Sequence, residues 1–201
     1  FSDEAPGGIR IVDTNNDGSL TPEDRVALGT PYPDFTWGIT NTFQIKDFDI
    51  SFLIQGVQGI TVLNGDVYYN ETKKCNKKYT KNRWVSAEHP GDGKTPYQNV
   101  KTGHDLMLTD YPLQNASYAC LRNFTVGYTL PATAARKIKL SGVRFYVSGS
   151  NLLYIWGSGY KGINPESRMT SGNYSSAMIS GYQRGGFPLT STISAGFDIN
   201  F

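Results

Sequence analysis

Six oxygen-bearing residues near the start of the chain have the spacing of a cation loop. Asp13, Asn15, Asp17, Ser19, Thr21 and Asp24 fall at positions one, three, five, seven, nine and twelve of a twelve-residue stretch, with Gly18 at position six. Hard oxygen donors at alternate positions wrap calcium, and a glycine at position six permits the sharp turn. Leu20 at position eight can anchor the loop in apolar surroundings. Asp24 stands where the bidentate Glu of an EF-hand would be, a dockerin-like variant with a looser grip. Thr21-Pro22-Glu23-Asp24 reads as an N-cap with Pro at N1. The residues before the loop, Ile9, Ile11 and Val12, read as extended rather than helical. The expectation is a structural calcium held by side chains and the Ser19 carbonyl. The bland alternative is an Asx-rich turn without an ion.

No other constellation reads as catalytic. His89 and His104 sit beside Pro90-Gly91 and Gly103 and read as solvated loop residues. No GxSxG, phosphate loop or spaced carboxylate pair occurs, so the chain is not expected to be an enzyme. Tyr69, Trp84, Tyr97, Trp156, Tyr160 and Tyr182 fall between the regular elements, where aromatic faces can stack on a ligand or pack on a partner; the plain alternative is loop self-packing. Cys75 and Cys120 give either one bridge or two unpaired thiols, and no CxxC motif. Net charge is +2, and the lysine block at 73, 74, 77, 78 and 81 reads as a solvated loop, so nucleic acid is not an expected partner.

The elements that would carry these residues are strands. The 201 residues include 22 glycines and 13 tyrosines, usage that suits strands, turns and an interfacial aromatic belt. Strict apolar/polar alternation appears five times, over 35–45, 48–54, 117–130, 143–153 and 190–201. Runs of about ten residues match tilted strands that cross a bilayer. The connections alternate: 46–47 is a tight hairpin, 59–116 is long, 131–142 is short, and 154–188 is long. Outer-membrane barrels have short periplasmic turns and long extracellular loops in this order; a sandwich has no reason to. Five strands cannot close a barrel, and a membrane does not tolerate open sheet edges. More polypeptide is therefore expected to complete it. The start at Phe1 reads as mid-protein, and the final Phe201, on the apolar face, reads as a terminal aromatic assembly signal. No apolar run is long enough for a spanning helix. The expected organisation is an extracellular segment over 1–34 with the calcium loop, then five barrel strands over 35–201. Phe43, Ile45, Phe52, Val126, Tyr128, Val147, Phe197 and Ile199 are expected to face lipid, and Thr42, Thr125, Ser148 and Asp198 the lumen.

Several stretches resemble the C-terminal third of the SusC-like TonB-dependent transporters. They are Asp13-Thr-Asn-Asn-Asp-Gly-Ser-Leu-Thr-Pro-Glu-Asp-Arg25, Gly29-Thr-Pro-Tyr-Pro-Asp-Phe-Thr-Trp-Gly38, Phe48-Asp-Ile-Ser-Phe-Leu-Ile-Gln-Gly56, Asn82-Arg-Trp84, Leu121-Arg-Asn-Phe-Thr-Val-Gly-Tyr-Thr-Leu-Pro131, Val147-Ser-Gly-Ser-Asn-Leu-Leu153 and Gly181-Tyr-Gln-Arg-Gly-Gly-Phe-Pro188. They occur in family order. Tyr111-Pro-Leu-Gln-Asn-Ala-Ser117 lacks the usual acidic residue, and 85–111 matches loosely. The resemblance implies an all-β fold, the C-terminal strands of a transmembrane antiparallel β-barrel with long extracellular loops. It implies nutrient import, of an oligosaccharide or a peptide, across the outer membrane of a Gram-negative bacterium of the Bacteroidetes type. The implied partners are the rest of the barrel and its plug, a SusD-like lid lipoprotein, TonB acting on an N-terminal region, and outer-membrane lipid. Two rivals share the alternation: a soluble extracellular carbohydrate-binding module with a dockerin-like loop, and a secreted glycan-active β-enzyme. Both would bury the apolar strand faces against each other.

Overall fold

A computed structural model describes residues 6–66, 81–97, 108–157, 159–167, 181–183 and 186–201. Strands β1 (Phe35–Ile45), β2 (Phe48–Gln58), β5 (Tyr118–Thr129), β6 (Gly142–Trp156) and β8 (Thr192–Asn200) form one antiparallel sheet in the order β1-β2-β5-β6-β8. Each strand pairs with the next one in the meander, and all five expected alternations became strands. Strand β2 runs four residues past the alternation that announced it. Trp156, expected in a loop, is instead the last residue of β6. A helical turn, α1 (Ala132–Lys137), occupies the short connection where only a turn was expected. Its Ala-rich stretch after Pro131 favours a helix start.

The register fixes the two faces. Phe43, Ile50, Val126, Val147 and Ala195 form one row across the sheet, and Ile45, Phe48, Tyr128, Phe145 and Phe197 form the next row on the same face. Thr42, Ser51, Thr125, Ser148 and Ser194 form a row of hydroxyls on the opposite face. All eight residues expected to share the apolar face do so. Register shifts at Leu53/Ile54 and between Leu121 and Asn123 are β-bulges that place Arg122 as an extra residue. The apolar face is uncovered: Phe43 is 46% exposed, Phe145 52% and Ile193 74%. A sandwich would bury this face against a second sheet; a barrel wall turns it to lipid. The all-β expectation holds. No helix among the described residues is long and apolar enough to cross a membrane, which says nothing of strands.

The chain divides into two compact units. The five-stranded sheet belongs to one. The other gathers Phe1–Tyr32, Ile60–Asn115 and Gly159–Phe187, so the first segment associates with both long connections. Its small sheet has β3 (Thr61–Asn64) between β4 (Leu113–Asn115) and β7 (Tyr182–Gln183). The buried core here is partly polar. Asn64 Nδ2 donates to Gln114 Oε1 at 3.0 Å, and the Lys161 N–H donates to the same oxygen at 2.9 Å. Tyr160 Oη donates to Gln183 Oε1 at 2.8 Å. Buried polar groups are tolerable when they meet partners in this way.

Candidate functional site

The expected cation loop is closed by its own carboxylates. Asp13 Oδ1 accepts from the Asn16 N–H at 2.7 Å, and Oδ2 from the Gly18 N–H at 2.8 Å. Asn15 Oδ1 accepts from the Asp17 N–H at 2.9 Å, and Asp17 Oδ1 from the Ser19 N–H at 2.8 Å. Asp24 spans the loop, with Oδ1 accepting from the Thr14 N–H and Oδ2 from the Thr21 N–H, each at 2.8 Å. Gly18 has φ +82°, the left-handed conformation that the sharp turn requires. Pro22–Asp24 forms a single 3₁₀ turn with a capping box on Thr21, as the sequence suggested. The backbone N–H groups of Thr21 and then Thr14 hold the Asp24 carboxyl below the usual carboxylate range, because they stabilise its ionised form. The donor chemistry fits calcium: hard oxygens from three aspartates, Asn15, Thr21 and the Ser19 carbonyl. Among the described residues, no three His, Cys, Asp or Glu side chains are grouped as a metal cluster. The neutral oxygens would therefore have to complete any shell.

A second feature of the same unit is a cavity of about 410 Å³ lined by Gly7, Gly8, Ile9, Arg10, Trp84, Pro90, Gly93, Lys94, Thr95, Pro96, Asp110 and Tyr111. Three stretches of chain meet there, and backbone bonds fix two of them. The Tyr97 N–H donates to the Gly7 carbonyl at 2.8 Å, Trp84 to Thr95 at 3.0 Å and Asp92 to Asn82 at 2.9 Å. Asp92 braces the turn that carries Lys94 and Thr95, accepting from their N–H groups at 2.9 and 2.7 Å and from Thr95 Oγ1 at 2.9 Å. Desolvation opposes ionisation of Asp92, but these donors outweigh it and its carboxyl stays below the ordinary value. The Trp84 indole lies against the Gly7 backbone and meets Tyr97 edge-on, ring centroids 6.3 Å apart. The cavity thus joins an indole wall to Arg10, Lys94 and Asp110, a lining for a polar ligand with flat faces.

Five of the six aromatics that the sequence grouped are described. Trp84 lines the cavity, and Tyr97 supports it. Tyr160 is buried on Gln183, and Tyr182 lies beside Gly65. Trp156 pairs with Tyr118 at the end of β6. Tyr69 lies outside the described residues, as do Cys75 and His104; Cys120 is a buried free thiol. Arg10, Lys94, Thr95, Asp110 and Tyr111 were not anticipated. Their only signal was the Gly and Pro density of 6–8 and 90–96, which marks turns that could fold around a space.

The polar face of the sheet carries fixed charges. Arg144 forms a bidentate pair with Asp49, Nε to Oδ1 at 3.0 Å and Nη2 to Oδ2 at 2.7 Å, and reaches Asp198 at 3.3 Å. The pair crosses over β5 at Gly127, where a Cβ would lie 2.3 Å from Asp49 Oδ1 and 2.6 Å from the guanidinium. Arg122, at the bulge, donates to Asn151 Oδ1 at 2.7 Å and Tyr154 Oη at 2.9 Å. With its amide oxygen turned inward, Gln55 accepts from Arg122 Nε at 3.0 Å.

No family model matches the chain. The chain is 30% identical over 201 residues to a protein named TonB-dependent receptor P3 of Formosa agariphila, covering 99% of this chain and 19% of that protein. It is 30% identical to TonB-dependent receptor P26 of the same organism, over 97% of this chain and 20% of that protein. To TonB-dependent receptor SusC of Bacteroides thetaiotaomicron it is 27% identical, over 78% of this chain and 15% of that protein. The chain spans about a fifth of the length of the curated relatives it matches. Among solved structures it resembles the RagAB peptide transporter, with TM-score 0.62 and 21% identity over 86% of this chain and 18% of that one. The RagAB peptide importer in its closed-closed state gives TM-score 0.61 and 20% identity over 92% of this chain and 20% of that one. At such identity the likeness is one of fold.

Proposed function

The chain belongs to the SusC-like TonB-dependent receptors, and we propose that it forms five consecutive strands, with their loops, of a barrel that imports a hydrophilic oligomer across the outer membrane. The observation that carries this reading is the inverted polarity of the sheet. Its apolar face is exposed, and its hydroxyls and ion pairs occupy the face that a barrel would turn to the lumen. The two long connections leave the same end of the sheet, as extracellular loops do. The ligand is an oligosaccharide or a peptide, and the cavity at Trp84 is a subsite for it. A SusD-like lipoprotein closes the mouth, and TonB acts on a region outside this chain. The curated relatives are named as receptors rather than enzymes, which supports a binding and transport role.

Calcium at Asp13, Asn15, Asp17, Ser19, Thr21 and Asp24 has a structural part in this proposal. It would add charge balance and rigidity to a loop that already closes on its own hydrogen bonds.

The experiment is growth of a gene-disrupted strain on single glycans and peptide mixtures, complemented with the intact receptor or with Trp84→Ala. The expected result is loss of growth on one hydrophilic oligomer, rescued fully by the intact receptor and poorly by the variant. Recovery of the intact protein in the soluble fraction would overturn the reading.

A further inference from the structure

At the end of the sheet that carries the short connections, a cationic helical turn packs on β6. Val143 belongs to that face by its pairing with Ile199. It is nevertheless only 6% exposed, where Phe145 is 52% and Ile199 40%. Among the described elements outside the sheet, α1 packs on β6, and its Ala135 is fully buried. The N–H groups of Ile138 and Leu140 donate to the Ala135 carbonyl, each at 3.1 Å, and that of Lys139 to Arg136 at 3.0 Å, which closes the turn. A helix packed on β6 that accounts for the burial of Val143 lies on the apolar flank of the sheet, the flank that meets lipid in the barrel reading. The four residues that follow Ala135 are then all exposed: Arg136, Lys137, Ile138 and Lys139. Ile138 is 58% exposed, an apolar side chain flanked by three cations.

The neighbouring row of the sheet is aromatic, with Phe48 and Tyr128 rings 4.8 Å apart and Phe145 and Phe197 beside them. Aromatic girdles of this kind mark the edge of the hydrocarbon band. The other charges at this end are few. Lys46 and Asp47 form the β1–β2 turn, and Asp49 and Asp198 are engaged by Arg144 on the opposite face.

We propose that α1 and the turn after it form a binding site for an anionic phospholipid of the periplasmic leaflet. Ile138 sinks into the boundary between headgroups and acyl chains, and Arg136, Lys137 and Lys139 hold the lipid phosphate. Long basic side chains keep their stems along apolar surface while their heads reach the headgroup layer. An exposed isoleucine among cations is poorly placed in water and well placed at that boundary. The site continues the lipid-facing surface of the sheet, so its occupant is a lipid already at hand. The proposal rests on the barrel reading above.

The test uses the intact receptor in mild detergent, with native mass spectrometry of bound lipid after adding phosphatidylglycerol, phosphatidylcholine or lipid A. The wild type should retain phosphatidylglycerol about tenfold more than phosphatidylcholine, in keeping with the attraction of several basic residues to an anionic surface. Arg136→Gln/Lys137→Gln/Lys139→Gln should lose that preference, and Ile138→Ser should weaken retention of both phospholipids. Lys81→Gln, an exposed lysine in a loop, should change neither. Heat-modifiable migration on a gel checks that each variant is folded. Equal phosphatidylglycerol retention by folded wild type and folded triple variant would overturn the proposal while leaving the barrel intact. Stronger retention of lipid A than of phosphatidylglycerol would overturn the assignment to the periplasmic leaflet. A wild type without heat-modifiable migration would overturn the barrel reading and this site with it.

Discussion

A single arginine moved along β8 should report the depth of the membrane. Outward-facing apolar residues of β6 run from Phe145 to Ile155. At about 3.3 Å per residue and a tilt near 40°, that stretch rises about 25 Å along the membrane normal, the height of a barrel's apolar band. Its middle falls near Gly149, which pairs with Ile193. Phe197, expected from the sequence to face lipid, pairs with Phe145 in the aromatic row toward the short connections. It lies four residues from Ile193, or about 10 Å lower by the same rise and tilt. Ile193→Arg should therefore destabilise the assembled receptor by about 2–4 kcal/mol, and Phe197→Arg by only about 0–1 kcal/mol, since its guanidinium can reach the headgroups. Ser194→Arg, next in sequence but on the polar face, should fall below Ile193→Arg. The assay is the heat-modifiable folded fraction of the intact receptor in outer-membrane preparations, with thermal unfolding in detergent. A Phe197→Arg defect equal to or larger than that of Ile193→Arg would refute the depth argument. A Ser194→Arg defect larger than both would refute the assignment of faces.

Calcium should protect residues 13–24 of the intact receptor from hydrogen exchange at roughly 10⁻⁴–10⁻³ M free ion, and Asp13→Ala should abolish the effect; identical exchange with calcium and with chelator would argue for a plain Asx turn. Gly127→Val should force Asp49 and Arg144 apart and lower the thermal midpoint of the receptor, while Thr125→Val, one row along on the same face, should change it little. The turn at 92–95 should loosen in acid: Asp92 has a depressed folded value, so its contribution is present above the unfolded carboxylate value and is lost as pH falls through the folded one. Hydrogen exchange at Lys94 and Thr95 should then rise only below the ordinary carboxylate range, and a rise near neutral pH would contradict the bracing role of Asp92.

The strands were legible because each has one apolar and one polar face, and period-two alternation survives whichever face meets solvent. Their ends were less legible. In β2 the extension Gln55-Gly56-Val57-Gln58 puts a glycine and a glutamine where apolar positions would continue, and in β6 the bulge between Ser150 and Leu153, with Asn151 at φ +55°, shifts the period. Strands β3, β4 and β7 have only four, three and two residues. Their side chains Asn64, Gln114 and Gln183 are buried and polar, so neither length nor hydropathy marks them. The turn at 13–24 was legible as spacing, since the side chains that close it are local in sequence. The cavity was not, because Arg10, Trp84, Lys94 and Asp110 belong to three stretches far apart in sequence that meet only in the fold. The three cations after Ala135 fall in a connection that the sequence marked only as short; their place on the apolar flank is argued from the burial of Val143.

The account turns on which way the sheet faces. A cryo-electron-microscopy map of the intact receptor in a lipid nanodisc measures this directly. It should show β1, β2, β5, β6 and β8 as consecutive barrel strands, with Phe43, Val147 and Ile193 against annular lipid and Thr42, Ser148 and Ser194 toward the lumen. A map in which Phe43, Val147 and Ile193 pack against a second protein sheet, with the hydroxyl row facing outward, would contradict the account.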